Sequence, residues 1–163
     1  MEEKLIIGVG GCGVNSIVHL KKLGLKGKFI GVSNAEKVST QKDSSIEVID
    51  IEDFNLNSLK QLKNISTVFI VNGIGGKTGT SLAPEIAKTL KSKFKVVSIS
   101  TLPFTLERKR CEKVEEFLNQ MKENSNEIII RKNQELIKKY PDITLDEAFM
   151  QMDKELYDQI VLY

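Results

Sequence analysis

Short apolar runs alternate with helical patterns along most of this chain. Six runs have the length and the β-branched composition of buried or half-buried strands, at positions 5–7, 29–32, 46–51, 66–71, 96–100 and 127–130. The run 46–51 alternates apolar and polar residues, as a half-buried edge strand does. Because a helical pattern separates most successive strands, we predict an α/β fold, a three-layer sandwich with a mainly parallel, Rossmann-like sheet.

Apolar residues three or four positions apart predict the helices between these strands. A short helix is expected to begin at Asn55, and a long amphipathic one covers 107–122. Thr144 caps a last helix, whose apolar stripe comprises Leu145, Ala148, Phe149, Met152, Leu156 and Ile160. This stripe is typical of a helix packed on a core.

Length and composition predict one globular domain, residues 1–163, in a reduced cytoplasm. The net charge of +2 is nearly neutral, and the lysine-rich segments 21–28 and 88–95 lack interleaved aromatic residues, which disfavours nucleic-acid binding. The apolar runs are too short for a membrane span, and the first residues do not form a signal peptide. The two cysteines lie far apart and form no metal-type pair.

The strongest chemical signal is the glycine-rich stretch between a strand and a helix at 71–81. It contains four glycines and three hydroxyl residues: Gly73, Gly75, Gly76, Gly79, Thr78, Thr80 and Ser81. Backbone N–H groups in such a loop can approach an anion, and the helix N-terminus adds partial positive charge. Lys77 supplies a mobile positive charge. The stretch predicts phosphate binding, but it is not a Walker loop, which needs a glycine where Val71 stands.

A second glycine loop, 8–13, follows the first strand and fits G-x-G-x-x-G, with Asn15 in the helical turn after it. The acidic residue that holds a ribose in dinucleotide sites is missing, since Glu36 comes too late; this counts against NAD. Cys12 is expected to be chosen for its small size, and His19 to have a surface or packing role.

Both glycine loops and the segments 101–107 and 131–133 follow predicted strands. Ligands of parallel sheets bind at the carboxyl ends of the strands. We therefore expect these four segments to line one site.

Two such loops in this order resemble the nucleotide-binding domain of the tubulin/FtsZ family, and FtsZ more than tubulin, from Leu5 to about Val161. The segment 8–13 resembles the family's first phosphate loop, and 75–80 resembles its signature Gly-Gly-Gly-Thr-Gly-Thr, with Lys77 as the third residue. The resemblance implies bound GTP or GDP. The positions implied in the two loops are Gly10, Gly11, Cys12, Gly13, Asn15, Gly73, Gly75, Gly76, Lys77, Thr78, Gly79 and Thr80.

The same resemblance assigns the sugar and the base. Pro103 to Glu107 is similar to the ribose-contacting segment, in which the glutamate binds sugar hydroxyls. Asn133 matches an asparagine that reads guanine, and Phe149 matches a phenylalanine that packs on the base. Lys154 stands where FtsZ places an aspartate on the guanine edge, and the neighbouring Asp153 is the candidate replacement. The identity of the base, guanine or adenine, therefore stays open.

The chain also departs from the FtsZ pattern. Ser33-Asn34-Ala35 replaces Asn-Thr-Asp, so a magnesium site is expected to be weakened, and no third glycine-rich loop is found between Ile51 and Ser66. Cys111 takes the place of a second ribose contact, which a neighbouring arginine could replace. The sequence ends at Tyr163, within the family's central helix, so the second domain and its acidic loop are expected to be absent.

Three functions remain in competition. The first is a guanine-nucleotide-binding module that acts in, or regulates, a cell-division or membrane-remodelling assembly, with little hydrolysis on its own and no catalytic residue assigned. The second is a dinucleotide-dependent oxidoreductase, and the third is a ligand-free structural domain. The apolar end 160–163 is expected to pack back on the sheet or to contact another chain, giving a homo-oligomer or a contact with an FtsZ-like partner.

Overall fold

A parallel β-sheet forms the centre of the computed structural model, which describes residues 2–34, 46–104 and 113–163. The strands are β1 (Glu3–Val9), β2 (Lys28–Ser33), β3 (Glu47–Asp50), β4 (Ile65–Gly73), β5 (Lys95–Leu102) and β6 (Glu127–Lys132). Within the described ranges their order is β3-β2-β1-β4-β5-β6, and each neighbouring pair is parallel. The predicted α/β class and the edge position of 46–51 are confirmed. The order reverses between β1 and β4, where ligands of such sheets bind.

Helices cover both faces of the sheet. They are α1 (Gly10–Lys22), α2 (Leu56–Leu59), α3 (Lys77–Lys91), α4 (Val114–Asn124), α5 (Asn133–Lys139) and α6 (Leu145–Val161). Successive side chains of β1 point to opposite faces, so Leu5 joins a core with α3 and α4, while Ile6 joins one with α1 and α6. The start of the predicted helix 107–122 lies outside the described residues. None of the helices in the described part is long and apolar enough to cross a membrane.

The apolar stripe of α6 is buried in its middle but not at its start. Ala148, Met152, Leu156 and Ile160 are buried, whereas Leu145 is 50% exposed. The prediction that Leu145 belongs to the core is therefore wrong. The packing of the helix begins only at Ala148, which contacts Leu136 of α5 in a small cluster, and Leu145 precedes that contact by one turn.

The end of the chain packs back on the sheet, as one of the two alternatives predicted. Ile160 is fully buried, and the ring of Tyr163 meets Phe69 edge to face, with 5.2 Å between centroids. The Tyr163 hydroxyl donates to Glu127 Oε2 over 2.5 Å, and this bond raises the pKa of Tyr163 to about 12. Leu162 is 86% exposed and does not take part in this packing. The predicted contact of the chain end with another chain therefore stays a prediction.

Ile160→Ala is expected to lower the free energy of unfolding by about 2–5 kcal/mol, because it leaves a cavity between α6 and the sheet. Leu162→Ala is the matched control, since Leu162 lies two residues further on and faces solvent. It should change the free energy by less than about 0.5 kcal/mol. Urea denaturation followed by circular dichroism measures both, and equal losses would contradict the placement of α6.

Candidate functional site

The carboxyl ends of the central strands open into a cavity of about 350 Å³, which we call the glycine cavity. It brings together predicted site residues from both loops and from the segments after β5 and β6: Gly10, Gly11, Cys12, Gly73, Gly75, Gly76, Thr78, Gly79, Pro103 and Asn133. The expectation that both glycine loops face one cavity is confirmed. The volume is within the range of small-molecule sites.

The N-termini of α1 and α3 converge on the glycine cavity. Their N-cap residues, Val9 and Gly76, make no side-chain capping hydrogen bond. The two loops touch, since a Cβ at Gly10 would lie 3.2 Å from the backbone nitrogen of Gly79. Two partial positive charges and two sets of backbone donors thus face one space, which suits an anion.

The glycines of the two loops have different tasks. Gly10 (φ +77°) and Gly75 (φ +97°) lie in the left-handed region and line the cavity. Gly13 does not line it; a Cβ at Gly13 would lie 2.1 Å from the carbonyl oxygen of Val71, so this glycine lets α1 approach β4. The phosphate contact predicted for Gly13 stays a prediction.

Thr80 holds the second glycine loop together, and its predicted contact with a nucleotide stays a prediction. Its Oγ1 accepts a hydrogen bond from the backbone N–H of Gly75 over 2.9 Å, and its side chain faces a separate cavity between α3 and α4. The hydroxyl therefore stabilises the loop. Thr78, two residues earlier, lines the glycine cavity.

A second cavity of about 490 Å³, the aromatic cavity, adjoins the first. The two share Cys12, Thr101 and Asn133 as walls. Phe104 and Phe149 meet edge to face, with ring centroids 6.4 Å apart, and form an apolar side. Such a wall beside polar groups suits a planar heterocycle. Of the predicted residues, the aromatic cavity gathers Asn15, Asn133, Phe149 and Asp153.

Two residues that line these cavities each have a buried polar atom without a hydrogen-bond partner in the described structure. The atoms are Oδ1 of Asn133, between the two cavities, and Oγ of Ser33, at the glycine cavity. A buried polar group without a partner costs about 1–3 kcal/mol. A ligand that hydrogen-bonds to these atoms would recover that free energy.

Asp153 is engaged inside the protein. Its Oδ1 accepts from Arg131 Nη1 over 2.8 Å and from Ser16 Oγ over 3.0 Å, while Oδ2 lies 3.2 Å from His19 Nδ1. No local pattern connects His19, expected to have a surface or packing role, with Asp153, because 134 positions separate them. Arg131 and Ser16 were missed for the same reason. Asp153 borders the aromatic cavity but is committed to these partners.

Several predicted positions lie outside the described atoms. They are Ala35, Glu107, the arginines beside Cys111 and Cys111 itself, together with the side chain of Lys77. The backbone of Lys77 is the first residue of α3. The ribose contact of Glu107 and the phosphate contact of Lys77 therefore stay predictions.

The donors of the glycine cavity do not suit a magnesium ion bound by protein alone. Magnesium prefers carboxylate and water oxygens, and none of the described residues that line this cavity carries a carboxylate. Nor do the described residues contain a group of three histidine, cysteine or acidic side chains that could hold a metal. The weakened magnesium site expected from Ser33-Asn34-Ala35 stays a prediction, since Ala35 lies outside the described residues.

Comparison with protein families gives a match to the model described as Tubulin/FtsZ family, GTPase domain, over residues 51–141. The mitochondrial division protein fszB of Dictyostelium discoideum is 28% identical over 95% of this chain and 50% of its own length. Cell division protein FtsZ 2 of Methanocaldococcus jannaschii is 29% identical over 92% of this chain and 45% of its own. The chain thus spans about half the length of the curated relatives it matches.

Solved structures share the fold. An empty FtsZ dimer of M. jannaschii has a TM-score of 0.80 at 24% identity, covering 98% of this chain and 53% of that one. A GTPγS-bound protofilament of CetZ2 from Haloferax volcanii has a TM-score of 0.80 at 15% identity, covering 99% of this chain and 57% of that one. At these identities the likeness concerns the fold alone.

Proposed function

The chain belongs to the Tubulin/FtsZ family, GTPase domain, and from this premise we propose that it binds a guanosine di- or triphosphate. The phosphates occupy the glycine cavity, and the base occupies the aromatic cavity. The bound domain acts in, or regulates, a cytoplasmic cell-division or membrane-remodelling assembly, by self-association or through an FtsZ-like partner. Relatives named as division proteins support that context.

The observation that carries the proposal is the convergence of two uncapped helix N-termini on one cavity. Phosphates bring negative charge and several acceptor oxygens to the positive ends of the two helices. The unpartnered Oδ1 of Asn133, where the two cavities meet, is an acceptor for N–H groups of a base. A nucleotide satisfies both sets of groups at once.

We further propose that the domain hydrolyses little nucleotide by itself. Phosphoryl transfer to water needs a positioned water and compensation of the developing charge. No carboxylate from the described residues lines the glycine cavity, and the donors there favour binding over activation of water. Positioning alone contributes several powers of ten to a rate, so hydrolysis awaits groups that a partner supplies.

Titration with GDP, GTP, ADP and NAD⁺ by isothermal calorimetry tests the proposal, together with phosphate release from GTP. We expect binding of the guanine nucleotides and slow release. Binding of NAD⁺ alone would favour the oxidoreductase, and binding of none would favour the ligand-free domain. Robust turnover of GTP by the purified chain would contradict the low hydrolysis proposed.

Lys77→Ala is expected to weaken GDP binding about tenfold, because a lysine at the first position of α3 can meet the phosphates as a point charge. Lys88→Ala removes the same charge from the last turns of the same helix and serves as the control. The affinity of Lys88→Ala for GDP should stay within about twofold of the affinity of the unmodified chain. Equal losses in both variants would point to a general charge effect.

A further inference from the structure

A buried ion pair lies beside the aromatic cavity, apart from the phosphate-facing loops. Arg131, near the end of β6, and Asp153, in α6, are each 8% exposed, and Nη1 donates to Oδ1 over 2.8 Å. The guanidinium also donates from Nε to Thr101 Oγ1 over 3.0 Å and from Nη2 to Ser16 Oγ over 3.2 Å. One side chain thus links β6 to α1, β5 and α6.

The hydrogen bonds of this network run between side chains of the protein. Ser16 receives a hydrogen bond from Arg131 and donates one to Asp153, while His19 occupies the other carboxylate oxygen. Three of the five guanidinium N–H donors have protein acceptors, and the side chain is only 8% exposed. Arg131 is therefore poorly placed to bind a phosphate, and any effect on a ligand must act through the groups that it holds.

The group that Arg131 holds most directly is the junction between β6 and α5. Asn133 begins α5 only two residues after Arg131, and the intervening N-cap, Lys132, makes no side-chain capping hydrogen bond. The pair between Lys132 and Glu135 is solvent-exposed, with 3.7 Å between its atoms, and such pairs contribute little. The buried fork of Arg131 fixes the end of β6 two residues before Asn133, while Leu136 packs α5 against α6.

We propose that Arg131 is a positioning residue that sets base preference, by fixing Asn133 at the aromatic cavity and by neutralising Asp153 beside it. This rests on the proposed nucleotide binding and adds to it. With Asp153 neutralised, the base meets Asn133 Oδ1 as its fixed acceptor. Without the guanidinium, Asn133 loses its anchor and an unpaired carboxylate borders the cavity. A buried pair of this kind favours specificity over stability.

The test measures dissociation constants for GDP, ADP and pyrophosphate on the full chain and on Arg131→Met. We expect the ratio of the ADP to the GDP constant to fall at least about fivefold, while pyrophosphate affinity stays within about twofold. Arg131→Lys keeps the charge without the three-way fork and should give an intermediate ratio. Lys132→Met, the exposed neighbour, is the control and should keep the original ratio.

An unchanged ratio in folded Arg131→Met would overturn the inference, as would an equal loss for pyrophosphate. A ratio near one in the unmodified chain would overturn it too. If Arg131→Met does not fold, the ratio of the ADP to the GDP dissociation constant is measured on Arg131→Lys and Ser16→Ala instead. Each of these variants removes only part of the hydrogen bonds made by the guanidinium, and an unchanged ratio in both would overturn the inference. Failure of the unmodified chain to bind any nucleotide overturns the proposed function itself, which distinguishes the two failures.

Discussion

Gly13→Ala is expected to remove much of the stability of this fold, with a loss of about 3 kcal/mol or more in the free energy of unfolding. Gly13 lies in the first turn of α1, and a Cβ there would lie 2.1 Å from the carbonyl oxygen of Val71 in the central strand β4. The nearest atoms that this Cβ would meet belong to the backbone of Val71 and Gly8, in β4 and β1. Relief of the clash would require α1 to move away from the sheet. Equilibrium urea denaturation measures the loss.

Gly76→Ala is the control for this substitution. Gly76 has φ −76°, and no heavy atom lies within 4 Å of the position that its Cβ would take. Its stability should change by less than about 1 kcal/mol, which includes the poorer capping by alanine. If the two variants lost the same stability, the close approach of α1 to β4 would not be the cause.

Asp153→Ala is expected to destabilise the fold by about 3–5 kcal/mol, because it leaves the buried guanidinium of Arg131 without its counter-charge. Arg131 Nη1 and Ser16 Oγ would lose their common acceptor, Oδ1, and His19 would lose Oδ2. The loss should appear as a lower midpoint of urea denaturation. We expect this loss of stability to be the main effect of the substitution, and any change in base preference to be smaller.

Two further variants distinguish an ion-pair effect from a helix effect. Asp158→Ala removes an exposed carboxylate five residues along the same helix and should change stability by less than about 0.5 kcal/mol. The double variant Arg131→Met/Asp153→Leu replaces both charges by apolar groups and should recover most of the loss. A double variant no more stable than Asp153→Ala would argue against an uncompensated charge.

Asp153 illustrates how a tertiary contact changes the interpretation of a site. A carboxylate close to the position expected to bind guanine suggests a base contact when only the sequence is considered. In the fold it is held by Arg131, Ser16 and His19, so its first task is to join α6 to α1 and β6. Among the described residues that line the aromatic cavity, the buried polar atom without a hydrogen-bond partner is instead Oδ1 of Asn133.

Local patterns in the sequence determined the architecture and the place of the site. The apolar runs predicted the strands, the turn-forming glycines predicted the two loops, and the rule that ligands meet the carboxyl ends of parallel strands brought both loops to one cavity. The cap at Thr144 is also local and forms as predicted, and Glu147, three residues later, completes a capping box. Such features depend on neighbours within a few residues.

Only the tertiary structure decided which residues face the cavities. Gly13 and Thr80 belong to the glycine loops, yet one packs on Val71 and the other holds Gly75. The partners of Asp153 lie 22, 134 and 137 positions away, and no local pattern connects them. Packing and buried hydrogen bonds depend on which elements the sheet brings together, and that information is spread over the whole chain.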